Sequence, residues 1–126
     1  MSGSRFLRTD PRIESLDRFF ERYHCPKPYP IFEYLRAADS YGLDYRLLPA
    51  VSIRETCCGK GEKPLNNLWG FHHERFSSIG AGIDFLAHRL TQHPAYRNKT
   101  LHEKLFTYNP RAEYPGEVAR IMRQIE

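Results

Sequence analysis

A glutamate sits where the surrounding pattern asks for an apolar side chain. Glu55 follows Val51 by four positions and Leu48 by seven, so at about 3.6 residues per turn it shares their apolar stripe. Burial disfavours the charged form of a carboxyl, and so does the negative end of a helix macrodipole. A glutamate placed there is suited to hold a proton and deliver it as a general acid. The plainer role for the same residue is a solvent-facing side chain in a frayed last turn, or an ion pair with Arg54 or Lys60. Downstream, Asn66-Asn67-Leu68-Trp69-Gly70-Phe71 sets two amides beside an indole. Amides hydrogen-bond hydroxyl and acetamido groups, and aromatic faces pack on the C–H side of a sugar ring. In the bland version of this motif a turn pair is followed by core aromatics. Tyr108-Asn109-Pro110 adds a phenol and an amide at the end of a helical segment.

Cysteine and histidine offer less. Cys25, Cys57 and Cys58 are too few for a disulfide framework and lack the paired spacing of a structural zinc site. At most one bridge forms among them, from Cys25 to Cys57 or to Cys58, and it would contribute roughly 3 kcal/mol in the chain-entropy model. Three reduced, packed thiols are the alternative. His72-His73 and Cys57-Cys58 are zinc-ligand types. Adjacent residues point in different directions and seldom hold one metal, so no metal and no cofactor is expected. A Cys–His nucleophile would need contact between the two and a third orienting group.

Six helical segments must position these residues. Asp10-Pro11 supplies an N-cap and a proline at the first helical position, and Ile13, Leu16, Phe20 and Tyr23 follow at helical spacing. The prolines of Cys25-Pro26-Lys27-Pro28-Tyr29-Pro30 make a stiff connector. A second helix runs from Ile31 to Tyr41 and closes at Gly42. Asp44 is expected to cap a third, which Leu47, Leu48, Ala50, Val51 and Ile53 make apolar on nearly all sides, the pattern of a central helix. Pro49 is tolerated there if it lies in the first turn and otherwise kinks it. Gly59 is expected to end this helix.

Residues 60–76 read as a long loop or short β-hairpin. Ser78 caps a fourth helix with Ile79, Ile83, Leu86 and Leu90 on one face, stopped by Pro94. Thr100 and Glu103 form a capping box for a fifth, and a sixth begins near Pro115 and carries Val118, Ile121, Met122 and Ile125. The expected fold is mainly α: one small domain over residues 10–126, with residues 1–9 a disordered leader.

Composition bounds the rest. A chain of 126 residues has room for one core, and 27% charged with 40% hydrophobic residues describes a globular domain rather than a disordered one. No apolar run reaches membrane-span length, and no signal-peptide core is visible at the N-terminus. The net charge of +4 is spread along the chain without a basic block, which argues against a nucleic-acid arm and suits a mild affinity for anionic polymers.

Taken in order, the glutamate, the Asn-rich stretch and the Tyr-Asn pair resemble the lysozyme-like superfamily. The likeness is to its bacterial glucosaminidase branch (mannosyl-glycoprotein endo-β-N-acetylglucosaminidase-like domains) and, more distantly, to lytic transglycosylases. The stretch from Gly42 through Leu48-Pro49-Ala50-Val51 to Glu55-Thr56 is similar to the family helix that ends in a catalytic glutamate. Asn66-Asn67-Leu68-Trp69-Gly70-Phe71 is similar to its Asn-Asn-x-aromatic-Gly motif, and Phe76-Ser77-Ser78 with Gly82-Ile83 resembles the start of its next helix. Tyr96-Arg97-Asn98-Lys99, Tyr108-Asn109-Pro110 and Tyr114-Pro115 resemble its C-terminal signature, so the likeness spans roughly residues 31–125.

The resemblance implies a lysozyme-like fold and cleavage of peptidoglycan glycan strands. Glu55 would protonate the glycosidic oxygen and Tyr108 would stand near it. Thr56, Asn66, Asn67, Trp69, Phe71, Asn109 and Tyr114 would bind substrate. Hydrolysis usually needs a second carboxylate at roughly 5 to 9.5 Å from the acid, for which Glu74 is the candidate ahead of Glu62. Failing that, the substrate's own N-acetyl group would serve, as in single-acid transglycosylases. The implied partner is the glycan strand, in an extracytoplasmic bacterial protein; no nucleic acid and no membrane span are expected, and the oligomeric state is left open with a monomer as the expectation. Thr56-Cys57-Cys58 departs from the Ser-Gly that follows the glutamate in many relatives. That departure leaves room for a catalytically weak module that binds a glycan or a partner protein.

Overall fold

A computed structural model describes residues 10–126 of the chain, and the leader expected over residues 1–9 lies outside the described residues. Asp10 begins the first helix, its carboxylate accepting the Arg12 backbone N–H at 3.0 Å with Pro11 in the first turn of α1 (Pro11–Arg22). The proline-rich connector contains a cis Lys27–Pro28 bond and leads into α2 (Ile31–Tyr41), which closes at Gly42 as expected. Three further helices follow α3 (Leu47–Thr56): α4 (Ile79–Gln92), α5 (Leu101–Tyr108) and α6 (Tyr114–Met122). Ser78 caps α4 by accepting the Ala81 N–H at 3.0 Å, and Thr100 with Glu103 closes the capping box of α5.

Three expectations are corrected. Asp44 does not cap α3: its carboxylate accepts the Arg46 backbone N–H at 3.0 Å and pairs with the Arg46 guanidinium at 2.8 Å, so the helix starts at Leu47. Pro49 then falls in the first turn, where its missing N–H costs no helical bond. The same helix ends at Cys57 rather than Gly59. Cys57 takes the left-handed conformation at φ 51°, and the Cys58 N–H turns back to the Ser52 carbonyl at 3.0 Å. Thr56 reinforces that early turn, its Oγ1 accepting the Gly59 N–H at 2.8 Å.

Residues 57–78 form a loop, with no strand among the described residues. Side chains take the place of a strand partner there: the Asn67 amide donates to the Phe71 and Glu74 carbonyls, and its oxygen accepts the Phe71 N–H. Ile125 lies beyond α6 yet is buried in the core.

Helix α3 occupies the centre, every residue from Leu47 to Ile53 being buried. It packs on α6, while α2 packs on α1 and α4, and α5 leans on α6. Trp69 of the loop is fully buried against the edges of Tyr34 and Phe76, and its indole N–H donates to the Tyr34 hydroxyl at 3.2 Å. Gly82 on α4 permits this seat, since a Cβ there would fall 2.5 Å from the indole. Cys25 and Cys58 form a disulfide that ties the chain after α1 to the chain after α3, and Cys57 is a free, exposed thiol. The result is a small all-α domain whose central helix carries Glu55 in its last turn.

Candidate active site

Glu55 belongs to the last turn of α3 and is half-buried. Tyr114, the first residue of α6, is fully buried, and its hydroxyl donates to Glu55 Oε2 at 2.8 Å. On the other side lies Gly70, exposed and in the left-handed region at φ 61°, where a Cβ would stand 2.6 Å from Glu55 Oε1. Only glycine meets both conditions. The carboxyl is thus clamped, one oxygen held by a phenol and the other lying against bare backbone at the protein surface.

The clamp has its own supports. Arg54 pairs with Glu117 at 2.8 Å, joining α3 to α6, and its guanidinium lies 5.4 Å from the centroid of the Tyr114 ring. That bond to Arg54 holds the Glu117 carboxyl below its ordinary range. Tyr108 stacks parallel to Tyr114, with centroids 6.3 Å apart, and its hydroxyl donates to the Trp69 carbonyl. Burial first, and then the nearby Glu55 carboxylate, push the Tyr114 hydroxyl far above the ordinary phenol range. For Tyr108 the causes are burial, then Tyr114, then Glu55. Both phenols therefore remain proton donors across the physiological range.

The residues expected at a binding site divide sharply. Glu55, Tyr108 and Tyr114 come together, but with exchanged roles: Tyr114, expected to meet a ligand, bonds the carboxyl, and Tyr108, expected beside it, stands behind Tyr114. Phe71 is buried 5.6 Å from Tyr108 and extends the aromatic row. Asn67 and Trp69 are fully buried with their polar atoms bonded inside the protein. Thr56 is buried and donates to the Leu68 carbonyl at 2.6 Å. These three hold the loop against α3 and do not reach a ligand, because their donors and acceptors are already used.

Asn66 faces elsewhere. Its amide donates to the Phe76 carbonyl at 3.0 Å, and it lines a separate cavity of about 210 Å³ beneath the proline-rich connector, walled by Cys25, Pro28 and Cys58. Asn109 is the half-buried cap of α5. Glu62 and Glu74 are exposed, and Glu74 enters the loop's bonding through its backbone. Among the described residues no three of His, Cys, Asp and Glu gather as metal ligands. Sequence reasoning passed over Gly70 and the Arg54–Glu117 pair. The glycine directly after Trp69 was the readable signal for the first, whereas the pair spans 63 positions and had none.

Comparison of the chain with protein-family models, with curated proteins and with solved structures found no match. Fold and site together define a small all-α domain that presents a clamped glutamate.

Proposed function

We propose that the chain cleaves peptidoglycan glycan strands as a glycosidase of the endo-β-N-acetylglucosaminidase or muramidase type. It would act on β-1,4-linked N-acetylhexosamine with Glu55 as general acid. The observation that carries this reading is the Glu55 carboxyl held between the Tyr114 hydroxyl and Gly70 at the end of a buried helix. With Oε2 accepting from the phenol, Oε1 is the oxygen that delivers a proton to the glycosidic oxygen as the C1–O bond breaks. The order of the glutamate, Asn-Asn-x-aromatic-Gly and Tyr-Asn motifs supports the same reading.

The group in contact with Glu55 is a phenol, while Glu62 and Glu74 are exposed. This favours the substrate's N-acetyl carbonyl oxygen as the nucleophile at C1, giving a cyclic oxazolinium ion. Glu55, now a carboxylate, next takes a proton from the group that attacks C1. Attack by water yields a reducing sugar and completes hydrolysis. Attack by the 6-hydroxyl of the same sugar yields a 1,6-anhydro product, the outcome of a lytic transglycosylase. The Cys25–Cys58 bridge supports an extracytoplasmic, oxidising location.

Turbidity loss of purified peptidoglycan with mass spectrometry of the products tests the proposal. The wild-type chain is expected to release fragments, and Glu55→Gln to slow their release by about 10²-fold or more. Tight binding of peptidoglycan by the wild type without any cleavage would overturn the enzymatic reading. The chain would then be a glycan-binding module, consistent with the Cys57-Cys58 pair that follows its glutamate.

A further inference from the structure

Arg89, in the last turn of α4, is held by rings rather than by a carboxylate. Its guanidinium carbon lies 5.0 Å from the Phe85 centroid and 5.4 Å from that of Phe71, and it stands in no ion pair among the described residues. The negative end of the α4 dipole accounts for a basic residue at this position but not for its seat over two rings. Along the same face of α4 opens a groove of about 690 Å³, lined by Tyr41, Phe85, His88, Arg89, His93 and Pro94. The acidic residue on its wall, Asp84, is engaged by the Tyr41 hydroxyl at 3.1 Å. His93 Nδ1 accepts the Ala95 N–H at 3.0 Å, so the neutral ring carries its own proton on Nε2 as a donor. The groove thus combines apolar walls with a guanidinium whose donors have no acidic partner.

Ring contacts connect this groove to the candidate active site. Phe71, which supports Arg89, stands 5.6 Å from Tyr108; Tyr108 stacks on Tyr114, and Tyr114 bonds Glu55. Resting on the reading of the chain as a peptidoglycan glycosidase, we infer that the α4 groove seats the peptide stem of the strand being cut, with Arg89 pairing a stem carboxylate. In a stem-bearing strand the lactyl carboxyl of the sugar is consumed as an amide, so the carboxylates on offer are those of the peptide. A guanidinium pre-oriented over aromatic faces is suited to take one in a two-point contact. Phe85 and Pro94 offer apolar surface to the rest of the stem.

Binding is measured in Glu55→Gln, so that nothing is turned over, by calorimetry with three probes. These are a stem-bearing muramyl tetrasaccharide, the same sugar with its stems removed and the freed lactyl carboxyls capped as amides, and chitotetraose. The stem-bearing probe is expected to bind about tenfold tighter than the other two, an advantage that shrinks with added salt. Adding Arg89→Gln should erase the advantage and leave chitotetraose binding unchanged, whereas Arg89→Lys should keep part of it. Equal affinity for stem-bearing and stem-free sugar overturns the inference, as does an advantage that survives in Arg89→Gln. Arg89-dependent binding alongside a wild type that cuts nothing would leave this inference standing and remove the glycosidase reading. Cleavage with no Arg89-dependent preference would do the reverse.

Discussion

The Tyr114 hydroxyl donates a 2.8 Å hydrogen bond to Glu55 Oε2 across 59 positions of sequence, and this contact joins the end of α3 to the start of α6. Because burial keeps the phenol protonated, it acts as a fixed donor that holds one carboxyl oxygen and turns the other toward Gly70. A carboxyl positioned in this way enters a reaction without first having to choose among its rotamers.

Tyr114→Phe removes that donor and keeps the ring that stacks on Tyr108 and lies under Arg54. Cleavage is expected to fall about tenfold as the acid loses its orientation, and stability by about 1–2 kcal/mol in urea unfolding. An unchanged cleavage rate alongside lost stability would assign the bond to the fold alone.

Gly70→Ala places a methyl group 2.6 Å from Glu55 Oε1 on a backbone at φ 61°. The left-handed conformation costs an alanine about 1–2 kcal/mol, so a folded protein with a modestly lower Tm is expected. Activity should drop far more than stability, because the carboxyl must leave its seat. Rate and Tm measured on one preparation decide it: wild-type activity would show that Glu55 does not work from this position.

Thiol titration of the unfolded, unreduced chain is expected to find one reactive thiol, Cys57, since Cys25 and Cys58 are bridged. Cys58→Ser should cost roughly 3–4 kcal/mol for a bridge closing a loop of this length, and Cys57→Ser almost nothing. Three titratable thiols would show that no bridge forms.

Acid should weaken the link between α3 and α6. Arg54 holds the folded-state pKa of Glu117 below its ordinary value of 4.5, so the pair's contribution is complete above that pH and fades as pH falls through the depressed value. Asp44 behaves in the same sense through Arg46. Tm recorded from pH 7 down to pH 3 is therefore expected to fall less steeply on the acid side in Glu117→Gln than in the wild type. Identical acid limbs would exclude the pair as a contributor.

Most of the helical layout is legible because its signals are local. Asp10-Pro11, Gly42, Ser78 and the Thr100–Glu103 box each act within four residues of themselves, and the apolar spacing that follows them repeats every turn. The misread boundaries are also local, where two nearby groups compete. Asp44 prefers the Arg46 guanidinium to a capping role, and the Thr56 hydroxyl bends the chain before Gly59 is reached. Glu55 stood out in the sequence because a carboxyl interrupts an apolar stripe. The inward burial of Asn67 and Trp69 did not, since an Asn-Trp stretch reads the same on a loop that faces outward and on one that faces inward.

The sequence by itself determined six amphipathic or buried helices, the caps of α1, α4 and α5 and the close of α2 at Gly42, and one misplaced carboxyl in the last turn of the central helix. Only the tertiary structure decided that Cys58 rather than Cys57 reaches Cys25, that Tyr114 rather than Tyr108 meets Glu55, and that Gly70 closes the other side. The physical reason is range. Caps and periodicity arise from hydrogen bonds and contacts within one or two turns, whereas a bond across 59 positions depends on how α6 crosses α3. That crossing is set by many individually weak apolar contacts summed over the whole core.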